Sequence, residues 1–135
     1  MKIAISFDGG QKVSATFPDG LSMLTDQPQA DGTPGEAPSP FAYFLGAMGT
    51  CAGIYVLEFC NARNIPTEQV SLMQEISFEE DSHGKRRVSM VTITIQVPPD
   101  FPERYHKAIV RAAELCSVKK AIMNPPDFMI NCVVR

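Results

Sequence analysis

Cys51, Cys60, Cys116 and Cys132 are the residues of this chain best able to do chemistry without a bound group. No two stand at C-x-x-C spacing and none begins a C-x-x-H, so zinc fingers, thioredoxin-type sites and haem attachment fall away. Each thiol is then either a small buried hydrophobe or a nucleophile whose strength follows its thiolate fraction. His83 falls in a turn and His106 early in a helical stretch, with no acidic or nucleophilic residue at a telling distance, so both read as surface histidines. Tyr43 and Tyr55 could donate a hydrogen bond to a ligand, but aromatic residues on an apolar helix read first as core.

The medium around these thiols follows from composition. At 135 residues, with 44% hydrophobic and 20% charged residues, the chain is expected to be one domain, 1–135, with an ordinary core. A net charge of -3 and the single tight basic cluster, Lys85-Arg86-Arg87 beside a turn, give no field for a nucleic-acid backbone. The opening MKIAISFDGG lacks the apolar run of a signal peptide, so a cytoplasmic protein is expected, where a permanent disulfide is disfavoured.

Alternating apolar residues supply the strands that must frame the thiols. Ile3, Ile5 and Phe7, then Val13, Ala15 and Phe17, flank the turn DGGQ and predict a hairpin, and LSMLTD after PDG predicts a third strand. Residues 26–40, with four prolines and two glycines, predict a long loop or arm. Val70, Leu72, Ile76 and Phe78 share one parity, as do Val91, Ile93, Ile95 and Val97, which makes a second, longer hairpin turning at DSHGK. Phe128, Ile130, Cys132 and Val134 predict a final strand with Cys132 in the core.

Two helices carry the other three thiols. The stretch GAMGTCAGIYVLEFC could be a membrane span or a buried thiol site; Glu58 and Arg63 near one end and the strands predicted elsewhere favour the central helix of a compact domain. It is predicted to start at Ser39 as N-cap with Pro40 at N1 and to run to about Arg63 or Asn64. Gly49 and Gly53 form G-x-x-x-G beside Cys51, which permits a close neighbour, whereas Cys60 points to the opposite side. The second helix is introduced by Asp100 and Glu103 at capping-box spacing, with Tyr105, Ala108, Ile109, Ala112 and Cys116 on one stripe. Cys116 is the evident mate for Cys51, since each ends an apolar stripe, but spacing does not bring two helices together.

PSPFAYFLGAMGTC followed by AAELCSVKKAI resembles the OsmC/Ohr family of osmotically induced and organic-hydroperoxide-resistance proteins, in the order hairpin, helix, hairpin, helix, strand. The resemblance implies an α+β fold with an N-terminal β-meander, a long buried central helix, a hairpin, a second helix and a final strand. It also implies an intertwined homodimer, with the proline-rich arm crossing between subunits. By the same resemblance Cys51 is the peroxidatic nucleophile and Cys116 the resolving thiol. They would reduce an organic hydroperoxide through a sulfenic acid and then a disulfide, recycled by a lipoyl-type or similar dithiol, with no metal, haem or flavin. Phe44, Met48 and Tyr55 would line a pocket for a greasy substrate. The alternative is a non-catalytic dimeric protein of this fold that binds a small hydrophobic or thiol ligand at the subunit interface.

The chain departs from the family in two places. Ser117-Val118-Lys119-Lys120 stands where Pro-Val-Ser-Asn is usual, and the thiolate-stabilising glutamate and arginine are missing, with Ala42 at the glutamate's position and no arginine before Arg63. A thiol in mid-helix has no helix terminus of its own, so a cation must lower its pKa, and Lys12, Lys119 and Lys120 are the candidates.

Overall fold

The computed structural model describes residues 1–134 and divides the chain into two compact units, Met1–Gly46 and Ala47 onward. In the first unit β1 (Ala4–Phe7), β2 (Val13–Thr16) and β3 (Ser22–Thr25) form an antiparallel meander, with Ala15 paired to Ile5 on one side and Met23 on the other. The β1–β2 turn needs two successive residues in the left-handed region, and Gly9 and Gly10 supply them at φ 89° and 58°. The proline-rich stretch is a loop closed on itself. Asp26 donates its N–H to the Pro38 carbonyl at 3.3 Å, and its carboxylate accepts from the N–H groups of Gln27 and Glu36 at 2.8 and 2.9 Å. Gly35 permits that closure, because a Cβ there would stand 3.3 Å from the Asp26 Cβ.

α1 (Pro40–Asn61) begins as its sequence predicts, with the Ser39 hydroxyl accepting the Ala42 N–H at 3.1 Å. It stops slightly short of the expected Arg63 or Asn64. Asn64 adopts φ 53°, and the Ile65 N–H returns to the Cys60 carbonyl at 3.0 Å, which closes the last turn. By length and composition α1 could cross a membrane. In this chain it packs Met48, Ala52, Val56, Phe59 and Cys60 inward while Ile54 and Leu57 stay exposed.

In the second unit β4 (Ser71–Glu80) and β5 (Arg86–Gln96) form an antiparallel hairpin with a register shift between Ser77 and Phe78. The Asp81 carboxylate holds its turn by accepting from the N–H groups of His83 and Lys85. The shared parity places Leu72 opposite Ile95 and Ile76 opposite Val91. These strands cover a core of Val56, Phe59, Cys60, Phe101 and Ile109, joined by Tyr105, Ala108 and Ala112 of the predicted stripe.

The second half departs from expectation in three places. Asp100 and Glu103 form no capping box; Pro102 precedes a 3-10 turn, Glu103–Tyr105, without a side-chain cap, and α2 (His106–Ala113) follows. The single second helix is broken, because Cys116 takes the non-helical angles φ -41° and ψ 116° and starts α3 (Ser117–Met123). The final strand does not form within this chain. Pro125 and Pro126 lead out of α3, no strand edge among the described residues pairs with 127–134, and Cys132 is exposed rather than core. Alternation gives a segment the period of a strand, but only a partner edge makes it one.

Candidate functional site

The break between α2 and α3 positions the site. Cys116, as N-cap of α3, accepts the Lys119 N–H on its sulfur at 3.3 Å, and its carbonyl accepts the Lys120 N–H at 3.1 Å. Its buried sulfur lies 3.8 Å from the Met48 carbonyl of α1. Those bonds leave the N–H groups of Ser117 and Val118, the first in the helix, to seek an acceptor elsewhere. Cys51, half-buried on α1, is that acceptor.

The Cys51 sulfur lies 3.5 Å from the Ser117 hydroxyl. Its pKa is lowered to about 7, first by the Val118 N–H and then, against the opposing effect of burial, by the Ser117 hydroxyl, the Cys116 thiol and the Ser117 N–H. The two thiols expected to act together thus meet across α1 and the start of α3. Cys60 is the contrast: fully enclosed in the core, its thiol is pushed up by burial, the cost of charging it there outweighing the pull of Arg63.

No lysine is among the groups that lower the Cys51 pKa. Lys12 forms a salt bridge with Glu36 at 2.6 Å within the first unit. Lys119 spends its N–H on Cys116 and turns its side chain to a cavity, and Lys120 is exposed. The groups that lower the Cys51 pKa are hydrogen-bond donors at the start of α3. Sequence reasoning missed them because it ended the helix at Cys116 and left Ser117 as a departure; VKKAIM after Cys-Ser is itself a helix-forming run and could have signalled a new start. Arg63, the first arginine, closes over the Phe59 ring at 3.7 Å and donates to the Phe59 carbonyl, so it serves the far end of α1.

A cavity of about 770 Å3 lies beside the pair, walled by Met48, Ile93, Ile95, Ile109 and Cys116, with Lys119 among its polar residues. Of the three residues expected to line a pocket, Met48 does so, while Tyr55 and Phe44 lie on α1 outside that wall and Phe44 stacks on Phe41. Gly49 meets the Gln74 side chain of β4, whose Oε1 would be 2.7 Å from an added Cβ; Gly53 faces open space, so the close approach predicted for the glycine pair occurs at one of them. Among the described residues no three His, Cys, Asp or Glu side chains converge as a metal-binding group.

No curated protein matches the chain. Solved structures do. A putative osmotic stress induced and detoxification response protein from Psychrobacter arcticus superimposes with a TM-score of 0.68 at 20% identity, covering 90% of this chain and 87% of that one. An organic hydroperoxide resistance protein OsmC from Legionella pneumophila gives 0.59 at 22% identity over 90% and 89%. The organic hydroperoxide resistance protein OhrB of Bacillus subtilis gives 0.58 at 21% identity over 93% of each. At such identities the likeness establishes the α+β fold. The family model described as OsmC-like protein matches residues 32–131, which span α1, both thiols and α3, and on that match the chain belongs to the OsmC-like protein family.

Proposed function

We propose that this protein reduces organic hydroperoxides with Cys51 and Cys116. The observation that carries the reading is the meeting of a half-buried thiol whose pKa is lowered to about 7 with a second, buried thiol that acts on it as a donor. At neutral pH a thiol with that pKa is about half ionised, enough for attack. The Cys51 thiolate attacks the terminal oxygen of the hydroperoxide, the O–O bond breaks, and the alkoxide leaves and takes a proton to become an alcohol. Cys51 is now a sulfenic acid. Cys116 attacks its sulfur, the hydroxyl leaves as water with the proton from Cys116, and a disulfide remains, which a lipoyl-type or similar dithiol reduces by exchange. The family's peroxide-related role supports this reading, and the reducing cytoplasm suits it. The working form we propose is an intertwined homodimer.

Cys51→Ser is expected to reduce hydroperoxide consumption by about a hundredfold or more, and Cys116→Ser to leave a trappable sulfenic acid at Cys51 while stopping turnover with a dithiol. Full consumption by Cys51→Ser would end the assignment. A second reading, a protein that binds a small hydrophobic or thiol ligand, draws on the apolar cavity, which reaches Cys116 and not Cys51. Thiol titration separates the two: one equivalent of hydroperoxide removes two thiols together in the enzyme and none in a binding protein.

A further inference from the structure

We propose that Ser117 is a residue of this thiol's chemistry: its hydroxyl donates a hydrogen bond to the Cys51 sulfur once the proton has left, and so holds the reactive thiolate. The inference rests on the reading of Cys51 as a nucleophile and names a residue that reading does not need. Between a neutral thiol and a hydroxyl 3.5 Å apart, either group can donate. After ionisation the sulfur can only accept, so the hydroxyl turns its hydrogen to it and the contact becomes charge-assisted.

The position of Ser117 in α3 makes the arrangement specific. As the first residue after the Cys116 cap it carries its hydroxyl and its N–H on the same residue, next to the Val118 N–H, while the third donor of that turn is held by the Cys116 sulfur. The resolving thiol thus occupies the donor that would otherwise be free and leaves its neighbours for Cys51. The titratable side chains on the elements around this contact include Cys116, Glu114, Lys119 and Lys120 from the α2–α3 joint and α3, Tyr55 and Glu58 from α1, and Glu75 from β4. Of these Cys116 acts on Cys51, as a donor, and the charged ones make no hydrogen bond with it among the described residues.

The test is the pH dependence of Cys51 alkylation, resolved by peptide mass spectrometry in the otherwise intact protein, for Ser117→Ala and Ser117→Thr. Glutathione added to the same reaction serves as reference thiol. Alanine suits the first turn of a helix, so the fold is retained, and matched circular dichroism and melting curves check it. Ser117→Ala is expected to raise the Cys51 midpoint by about 0.5–1 pH unit with no change in the reference thiol, and Ser117→Thr, which keeps the hydroxyl, to restore it. An unmoved midpoint in Ser117→Ala would overturn the proposal and assign the thiolate to the Val118 amide. A rise that threonine does not recover would overturn it too. The result is independent of peroxidase activity: if hydroperoxide is not consumed but the midpoint follows the hydroxyl, the Ser117 assignment stands and the enzyme reading falls.

Discussion

The two units of this chain solve the same problem differently. The second buries a closed cluster around Val56, Phe59, Cys60 and Ile109 and sets its thiol pair against a helix that packs on that cluster. The first has a three-stranded sheet whose Ile5 and Phe7 are 61% and 88% exposed, and it buries little besides Ala15, Thr25 and Asp26. Its order comes from turns and from the Asp26 bonds that close the loop. The tail resembles the first unit in this respect, with Ile130 at 93% exposure. Apolar packing within one chain therefore suffices for the thiol site, whereas the sheet and the tail carry apolar side chains that this chain alone does not cover and that the proposed homodimer would cover.

The comparison can be broken most directly at the core. Phe59→Ala should cost about 3–5 kcal/mol in urea unfolding, because a filled cluster loses a ring and gains a cavity. Phe7→Ser, measured at dilution where single chains prevail, should cost less than about 0.5 kcal/mol. Equal losses would show that the sheet has a core of its own.

Assembly sharpens it next. Sedimentation at micromolar protein is expected to give twice the chain mass, and Phe128→Asp with Ile130→Asp to weaken the pair at least about tenfold, or ~1.4 kcal/mol. Wild-type protein sedimenting as one folded chain would remove the reason given for the uncovered tail.

The smallest effect is expected at Asp26. The N–H groups of Glu36 and Gln27 hold its carboxyl below the usual value of 3.8. A carboxyl depressed on folding adds stability above its unfolded pKa and loses it as pH falls through the folded one. Asp26→Asn should therefore melt below the wild type at neutral pH and converge with it in acid. Curves that stay parallel from neutral to acid pH would place the loop's order elsewhere.

How much was legible in the sequence differs between neighbouring residues. Ser39 and Pro40 announced the start of α1, and the parities of β4 and β5 foretold which residues face inward, because caps and alternation are decided by residues a few positions apart. Family resemblance singled out Cys51 and Cys116. The donors for Cys51 were beyond such reasoning. Ser117 is 66 residues away along the chain, and its approach depends on a break in a helical stripe that looked continuous. The tail shows the same limit: its alternation was plain, yet a strand is a relation between two backbones. The sequence by itself determined the local elements, their faces and the residue types at the site, since those follow from short-range sterics and periodicity. Only the tertiary structure brought the Cys51 sulfur to the Ser117 hydroxyl and the first amides of α3, because long-range packing chooses which unsatisfied donors reach a given acceptor.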